Sequence, residues 1–339
     1  MIRCALALIV TALTLLGGDT VKIASYNVEN LFDLNYDGTE YLEYIPGTSW
    51  EWNREHYDAK LRNIARVIAD IGADAIALQE VESLEALRDL KAAVKRAGLY
   101  YPHMAIAGAK NTTVKVALLS RFPILYTKEI SVGASRKQRA ILEARLDVEG
   151  APLYLFVNHW KSKSGPESRR VVAAKALRKR LEALGHDTPI LLVGDFNSHY
   201  EEYRLFLRKR KHNDTEGITG INHILRTVTD GAPVTLEALR RCDGCYYNLW
   251  YELPESQRWS HNFYGQKEGL DNMILSPGLA DGRGIDYLPG SFRRFTPDYL
   301  FKKRAIFRWQ QSRKHPKHHT GEGFSDHLPV YAEFTLLPK

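Results

Sequence analysis

The sequence contains few cysteines and no internal repeat or low-complexity linker. Only three of its 339 residues are cysteine. Cys4 lies in the N-terminal apolar run, which leaves Cys242 and Cys245, in Cys-Asp-Gly-Cys, as a pair. A structural zinc site usually has four protein ligands, so this pair is weak evidence for a metal. It favours a small disulfide loop, with two free thiols as the alternative.

Long apolar runs are also missing, and the one at the N-terminus is short. Arg3 gives a positive start, residues 5–16 are apolar apart from two threonines, and Gly17-Gly18 follow. Twelve residues are too few to span a bilayer comfortably, and the pattern is typical of an export signal. We predict a signal peptide at residues 1–18, a single domain at 19–339, and a periplasmic or extracellular location. An uncleaved anchor and a misassigned start codon are the alternatives.

Acidic residues are in the minority, and the basic excess is concentrated in one segment. The formal net charge is +7, which favours anionic partners. The basic segment, residues 291–320, has one acid, Asp298, against nine cations: Arg293, Arg294, Lys302, Lys303, Arg304, Arg308, Arg313, Lys314 and Lys317. It also contains six aromatic residues: Phe292, Phe295, Tyr299, Phe301, Phe307 and Trp309.

Cations interleaved with aromatic rings are typical of nucleic-acid binding. Two alternatives are a solvated loop whose rings pack on the domain and a loop that contacts a membrane surface. Three histidines in the basic segment suggest a metal site, which we rank below a polycationic loop: His315, His318 and His319.

Apolar periodicity predicts a mixture of helices and short strands. The predicted strands are 21–26, 75–78, 114–119, 124–130, 140–148, 153–157, 189–193, 270–275 and 330–336, and the helices are 58–71, 83–97 and 167–184. Residues 200–250 look helical and irregular. The dense short strands indicate antiparallel pairing. The predicted fold class is α/β (α+β), a four-layer sandwich of two packed, mixed, largely antiparallel β-sheets flanked by helices.

Five short polar motifs follow apolar runs along the whole chain. They are Ser25-Tyr26-Asn27, Gln79-Glu80, Asn158-His159-Trp160-Lys161, Gly194-Asp195-Phe196-Asn197 and Ser325-Asp326-His327. Residues at strand ends can converge in space although they are distant in sequence. Carboxylates, amides and imidazoles together would form a hard-cation site with acid/base groups, as phosphodiester or phosphomonoester hydrolysis requires.

Two of the motifs carry the candidate metal-binding residues. Glu80 at a strand end suits Mg²⁺, which prefers oxygen ligands. The amide of Asn27 can hold a metal-bound water or orient Glu80. Each residue alone is more typical of a surface glutamate or a turn asparagine.

The remaining motifs carry the candidate acid/base groups. Asp195 and Asn197 are two residues apart, which would let both hold an attacking water while Phe196 turns into the core. His327 suits proton transfer or phosphate contact, and Asp271 could fix its tautomer. His159 could stabilise or protonate the leaving oxygen.

Four cations after His159 can bind phosphate: Lys161, Lys163, Arg169 and Arg170. For Arg170, a position on the solvated face of the 167–184 helix is the alternative.

Taken together and in this order, the motifs resemble the endonuclease/exonuclease/phosphatase superfamily, the deoxyribonuclease-I-like fold, from Val21 to about Thr335. The stretch Asn-His-Trp-Lys-Ser-Lys is similar to the extracellular nuclease branch. The resemblance implies that residues 19–339 are one catalytic domain. It also implies that Glu80 is the principal Mg²⁺ ligand, that Asn27 and Asp326 complete the metal shell, and that Mn²⁺ or Ca²⁺ are alternatives to Mg²⁺.

The same resemblance implies that Asp195 and Asn197 activate water, that His327 with Asp271 acts on the phosphate, and that His159 lies on the leaving-group side. Arg139 is a loose match to an arginine of the family. Asn111-Thr112-Thr113 stands where some branches have a tyrosine that contacts phosphate.

The resulting hypothesis is an exported, Mg²⁺-dependent, monomeric nuclease acting on DNA or RNA. A phosphatase or a phospholipid phosphodiesterase (sphingomyelinase-like) with the same metal site is the alternative. A non-catalytic binding module on the same fold is a third reading, which the intact motif set argues against.

Overall fold

The computed structural model describes residues 19–108, 112–133, 138–206 and 212–338. The predicted signal peptide, Cys4 and Asn111 lie outside these residues. The helices are α1 (Arg54–Ile71), α2 (Leu84–Arg96), α3 (Ser168–Leu184) and the single turns α4 (Glu202–Leu205) and α5 (Leu236–Leu239). Short 3-10 or π turns occur at Leu42–Tyr44, Gly220–Ile224, Leu249–Glu252, Glu255–Gln257, Pro277–Leu279 and Asp298–Leu300.

The described strands are β1 (Thr20–Leu31), β2 (Ala75–Val81), β3 (His103–Ala107), β4 (Lys115–Ser120), β5 (Ile124–Ile130), β6 (Ile141–Val148), β7 (Ala151–His159), β8 (Ile190–Asp195), β9 (Val228–Thr229), β10 (Ala232–Pro233), β11 (Tyr247–Asn248), β12 (His261–Phe263), β13 (Gln266–Glu268), β14 (Asp271–Leu275), β15 (Ile285–Tyr287), β16 (Arg293–Arg294), β17 (Phe301–Lys302), β18 (Ala305–Ile306) and β19 (Val330–Leu336).

Two large sheets organise the fold. The first has the order β15-β19-β1-β2-β4-β3, with β16 also paired to β19, and the second has the order β11-β14-β8-β7-β6-β5. The pairs β1–β2 and β7–β8 are parallel, and the other pairs within these sheets are antiparallel. The mixed, largely antiparallel architecture predicted from the sequence is confirmed.

Three apolar clusters define the layers of the sandwich. Alternate residues of each strand point to opposite faces of its sheet, so Ile23 packs between the sheets while Ala24 packs under the helices. The cluster between the sheets joins β1, β2 and β4 to β6, β7 and β8. Helices α1 and α2 cover the outer face of the first sheet, and α3 covers the outer face of the second. The helix–sheet–sheet–helix order matches the predicted four layers.

The helix ends follow the capping signals in the sequence. Ser83 caps α2 by accepting a hydrogen bond from the Ala86 backbone N–H, and Gly98 follows the helix with a φ of 98°. Asn53 caps α1 in the same way, so the helix begins at Arg54, four residues before the predicted start at Asp58. The first turn of α1 was missed because Arg54, Glu55 and His56 are polar, and Tyr57, which is buried four residues before Leu61, was not included in the apolar stripe.

The structure of the described residues bears on the cysteine pair and on membrane-spanning segments. Cys242 and Cys245 form a disulfide with their Cα atoms 5.5 Å apart, which confirms the predicted disulfide loop. Among the described residues, every helix falls short of the length and apolarity needed to cross a bilayer.

In the basic segment, residues 291–320, the aromatic rings and the cations differ in their exposure to solvent. Phe292 and Trp309 are buried, and the other four aromatic residues pack against the first sheet and its helices. The alternative in which these rings pack on the domain is therefore confirmed, and the packing leaves each ring only partly accessible or buried. Most of the cations are exposed, Arg313, Lys314 and Lys317 among them.

His319 is buried in an aromatic cluster and serves the fold. Its Nδ1 accepts a hydrogen bond from Trp309 Nε1 at 2.8 Å, and its Nε2 lies 2.7 Å from the Glu43 carbonyl oxygen. The rings of Tyr44 and Trp52 lie within 5 Å, at 4.9 and 4.8 Å between centroids. Both ring nitrogens are satisfied by one neutral tautomer, which does not fit the predicted metal role for this histidine.

We expect His319 to make stability depend on pH in the acid range. Burial lowers the pKa of His319 from 6.5 to about 4. Between these values the unfolded chain binds the proton and the folded chain does not. Stability is thus complete above pH 6.5, falls as the pH drops to 4, and loses up to about 3 kcal/mol. Urea unfolding at pH 7 and pH 4.5 measures the loss.

The matched variant is His319→Gln, which keeps a donor and an acceptor but cannot titrate. Its loss of stability between the two pH values should be smaller than that of the wild type. His199 and His261, whose burial also lowers the pKa to about 4, contribute equally to both proteins. An identical pH dependence in the two proteins would contradict the prediction.

Candidate active site

The strand pairing brings the polar motifs to one edge of the sandwich. Because β1 and β2 are parallel, Asn27 and Glu80 lie at the same end of the first sheet. The parallel pair β7–β8 places His159 directly opposite Asp195, and the antiparallel strand β14 places Asp271 opposite Asp195 from the other side. Asp326 and His327 lie four and three residues before the first residue of β19, Val330, which pairs with Ser25 of β1.

Glu80 sits on an irregularity in β2 that aims its carboxylate at the site. The register of β2 shifts between Gln79 and Val81 against both neighbouring strands, so Glu80 is unpaired, with a φ of 67°. Such bulges redirect a side chain and occur next to active sites. Asn27 Nδ2 donates to Glu80 Oε1 at 3.2 Å and to Asp195 Oδ2 at 3.1 Å. Of the two roles predicted for Asn27, this geometry favours orienting Glu80.

Gly194 is required where β7 and β8 approach each other before the site. Its φ is 127°, and a Cβ there would lie 2.1 Å from the Asn158 carbonyl oxygen. The next residue, Asp195, accepts from the Asn197 backbone N–H at 2.8 Å and from Asn197 Nδ2 at 3.0 Å. Asp195 and Asn197 are therefore together as predicted, although Asn197 is left-handed (φ 46°) instead of extended. Phe196 is buried.

His327 and Asp271 form the predicted carboxylate–imidazole pair. His327 Nδ1 lies 2.7 Å from Asp271 Oδ2, and both residues are buried. Its Nε2 points toward the site, 4.0 Å from carboxylate oxygens of both Asp195 and Asp326. Burial alone would lower the pKa of His327, but the adjacent carboxylates, Asp271 above all, hold it well above its usual value. These carboxylates therefore favour the protonated, cationic form of the imidazole.

His159 is the second imidazole and has the opposite electrostatics. Its Nε2 lies 3.6 Å from both Glu80 Oε1 and Asp195 Oδ2. Burial, with Arg139 and His327 nearby, lowers its pKa well below 6.5. A neutral imidazole can stabilise a leaving oxygen by a hydrogen bond but holds no extra proton to deliver, so the first of its two predicted roles is favoured.

Arg308 and Glu29 are site residues that sequence reasoning missed. Arg308 Nη2 lies 3.3 Å from Asp326 Oδ2, and its guanidinium also pairs with the buried carboxylate of Glu29. Burial would raise the pKa of Asp326, but His327 and Arg308 hold it below its usual value. Because cations and aromatic residues alternate in the basic segment, the sequence drew attention to the segment as a whole and not to Arg308, which is half exposed and still reaches Asp326.

His261 is a third missed residue and lies against His327. The two rings are 4.6 Å apart between centroids, and His261 Nε2 is 4.0 Å from Asp326 Oδ2. His261, Asp326 and His327 present ligand atoms within 4.8 Å of one another. His261 stands in Ser-His-Asn-Phe, ten residues before Asp271, but no apolar run precedes it, so the pattern that identified the other motifs did not identify this one.

The candidate phosphate-binding cations divide into those that reach the site and those that do not. Arg139 lines the cavity that also contains Glu80 and His327, and it donates to the Trp160 carbonyl oxygen at 3.1 Å. A second cavity adjoins the first and is lined by Arg139, Lys161, Thr112 and Thr113. Arg169 is exposed on α3 and lines neither cavity.

Lys163 and Arg170 are occupied by carboxylates. Lys163 Nζ lies 2.7 Å from Glu202 Oε2 and 2.6 Å from Glu268 Oε1. The two negative charges of these carboxylates outweigh its single positive charge, which disfavours binding of a phosphate. Arg170 is buried, not solvated. It pairs with Glu167 and donates to three carbonyl oxygens of the loop that follows His159. Lys163 lines the cavity, but these two ion pairs do not favour its predicted phosphate contact, which stays a prediction. Arg170 positions the loop.

One cavity of about 540 Å³ contains the assembled groups. Its lining includes Glu80, Arg139, His159, Asp195, Asn197, His261, Arg308, Asp326 and His327. Three carboxylates among oxygen and nitrogen donors fit a hard divalent cation. Glu80 and Asp326 would hold Mg²⁺ there, with Asn27 orienting Glu80, and Asp195 is left to act on the attacking water.

A family model described as "Endonuclease/Exonuclease/phosphatase family" matches residues 22–231. The chain belongs to the endonuclease/exonuclease/phosphatase family. The match begins in β1 and covers Asn27, Glu80, His159 and Asp195. Family membership confirms the predicted fold and the prediction of a metal-dependent phosphodiesterase hydrolase. Comparison with curated protein sequences gave no match.

Solved structures of the family share the fold at low identity. A humanized D. rerio TDP2 is 16% identical over 93% of this chain and 99% of its own, with a TM-score of 0.58. D. rerio TDP2 complexed with single strand DNA product is 15% identical over the same shares, with a TM-score of 0.58. Bacteroides thetaiotaomicron mannosyl-6-phosphatase is 15% identical over 93% of this chain and 100% of its own, with a TM-score of 0.56.

Proposed function

We propose that the protein is an exported, Mg²⁺-dependent nuclease that hydrolyses phosphodiester bonds of DNA, with RNA as a further substrate. The observation that carries the proposal is the convergence of Glu80, Asp195, Asp326, His159 and His327 on one cavity. A family relative solved with a single strand DNA product supports nucleic acid as the substrate class. The net charge of +7 and the exposed cations of the basic segment suit a polyanion.

Each group of converging residues has a separate role in hydrolysis. A bound Mg²⁺ would neutralise charge on the phosphate as a Lewis acid. Asp195 and Asn197 hold and activate the attacking water, because their carboxylate and amide meet at the cavity surface. His327, a cation fixed by Asp271, donates from Nε2 to a phosphate oxygen. His159 donates a hydrogen bond to the leaving oxygen.

Export and domain organisation complete the proposal. The apolar run at residues 5–16 directs the chain out of the cytoplasm, and residues 19–339 act as one monomeric catalytic domain. Fractionation of cells that express the full chain, with N-terminal sequencing of the exported product, tests this part. Product found only in the cytoplasm with its N-terminus intact would reject it.

Nicking of supercoiled plasmid by the purified protein tests the catalytic part. We expect nicking with Mg²⁺ and none with excess EDTA. Affinity for DNA should fall with added salt, as counterion release requires. An intact plasmid after incubation with folded, Mg²⁺-supplied protein would reject DNA as the substrate.

A phosphatase is the second candidate function, because a mannosyl-6-phosphatase shares the fold over its whole length. Phosphate release from a sugar phosphate, measured beside plasmid nicking, separates the two. The membrane-active variant of this alternative loses support, since the aromatic residues of the basic segment are packed and not available to insert.

A further inference from the structure

A short hairpin stands over the cavity beside the catalytic histidine. Strands β12 and β13 pair in register from His261–Glu268 to Phe263–Gln266. Tyr264 and Gly265 form the turn, with φ values of 48° and 88°. Two central residues with positive φ are typical of the tight turns that match the twist of a hairpin. The tip is therefore short and well defined.

The base of this hairpin is attached to the catalytic residues themselves. His261 forms a β-bridge with His327. The Ser260 carbonyl oxygen accepts from the Leu328 backbone N–H at 2.8 Å, and Ser260 Oγ accepts from the Asp271 backbone N–H at 3.1 Å. The hairpin thus holds a fixed position relative to both members of the His327–Asp271 pair.

The two faces of the hairpin differ in what they contact. His261, Phe263, Gln266 and Glu268 share one face, as alternate residues on paired strands do, and all four line the cavity. On the other face the Lys267 ammonium lies 4.4 Å from the Trp259 ring centroid.

Phe263 is an apolar ring presented to the catalytic cavity. It is 59% exposed although it lines the cavity, and Tyr264 beside it is 95% exposed. The two rings meet edge to face, 4.6 Å apart between centroids at 86°. The Phe263 ring is nearly parallel to the His261 ring, at 14°. An exposed ring oriented by two neighbours beside a phosphate-binding centre offers a π face to whatever is attached to that phosphate.

We propose that Phe263 is a stacking platform for a nucleobase next to the scissile phosphate, with Tyr264 supporting its ring and Gln266 beside it. This inference rests on the proposed function. Stacking on an aromatic ring is tolerant of sequence because every base has a π face. The platform therefore gives the nuclease affinity for nucleotides without a preferred sequence.

A membrane is the less suitable partner for this hairpin. Only Phe263 and Tyr264 are apolar and exposed at its tip, and Tyr264 carries a hydroxyl. Gly265, Gln266 and Lys267 complete the exposed tip. So small an apolar area flanked by an amide and a cation suits one base better than a bilayer.

Binding of two labelled oligomers tests the platform. One is oligo(dT) of about 12 nucleotides and the other is an abasic backbone of the same length and charge. Anisotropy is measured in EDTA, which prevents cleavage, for the wild type, Phe263→Ala and Phe263→Trp. The control is Tyr100→Ala, which removes a ring of comparable exposure (54%) near the opposite end of β2.

We expect Phe263→Ala to weaken oligo(dT) binding about tenfold and to leave abasic binding unchanged, while Phe263→Trp retains or tightens oligo(dT) binding. With Mg²⁺, the KM of Phe263→Ala for oligo(dT) should rise with little change in kcat. Equal effects on both oligomers, or no effect on either, would overturn the platform. If Phe263→Ala lost binding to anionic vesicles but kept its binding to oligo(dT), that result would also overturn the platform.

The two proposals fail in different ways. The protein could bind bases through Phe263 and yet hydrolyse no phosphodiester with Mg²⁺. That result would reject the proposed function and keep the platform. Metal-dependent nicking by a wild type whose binding ignores the bases would keep the function and reject the platform.

Discussion

Replacement of His327 with alanine is expected to lower kcat/KM for phosphodiester hydrolysis by about a thousandfold. The imidazole is buried, cationic and aimed at the cavity through Nε2, so its removal deletes the fixed positive charge at the phosphate. The initial rate of plasmid nicking at saturating Mg²⁺ measures the loss. His103→Ala is the matched control, because His103 lies on β3 near the end of the first sheet remote from Glu80.

The partner variant Asp271→Asn distinguishes a charge effect from a packing effect. It keeps the shape of the side chain but removes the carboxylate that holds the pKa of His327 high. The imidazolium then loses its proton at a lower pH. The alkaline limb of the pH–rate profile should shift to lower pH, with near-normal rates at acid pH. A fully active His327→Ala protein would reject the assigned chemistry, and an unmoved limb in Asp271→Asn would reject the role of the pair.

Replacement of Glu80 with glutamine is expected to raise the Mg²⁺ concentration for half-maximal activity by more than tenfold and to lower the rate at limiting Mg²⁺ by about a hundredfold. Glutamine retains the size and one oxygen but removes the charge that a hard cation requires. Calorimetric titration with Mg²⁺ gives a measurement of metal binding that does not depend on activity.

Glu85→Gln is the control for the loss of one negative charge nearby. Glu85 is exposed in the first turn of α2, only five residues after Glu80. Its Mg²⁺ affinity should equal that of the wild type. Unchanged Mg²⁺ binding in Glu80→Gln would show that Glu80 is not the principal ligand, and Asp326 would then carry the ion.

The motifs predicted much of the site because short polar runs after apolar strands are a local signal. The rule that strand ends converge was sufficient to identify five of the site residues: Asn27, Glu80, His159, Asp195 and His327. Their order along the chain supplied the family. The charge state of each group was not accessible in this way, because His159 and His327 look alike in sequence and have pKa shifts of opposite direction.

Elements whose sequence signal is weak were missed. Strand β3 is half-buried at the edge of its sheet and shows no clear alternation. Strand β15 has three residues, and its place beside β19 depends on a long-range pairing. The hairpin of β12 and β13 has a two-residue turn, but its exposed strands lack the apolar periodicity used for prediction.

The sequence by itself determined the fold class, the layers and most of the residues that meet at the cavity, because these follow from apolar periodicity and from polar residues at strand ends. Only the tertiary structure decided which cations are available. Lys163 is neutralised by Glu202 and Glu268, and Arg308 reaches Asp326 from the basic segment. Burial and ion pairing depend on neighbours that are distant in sequence, so no local pattern encodes them.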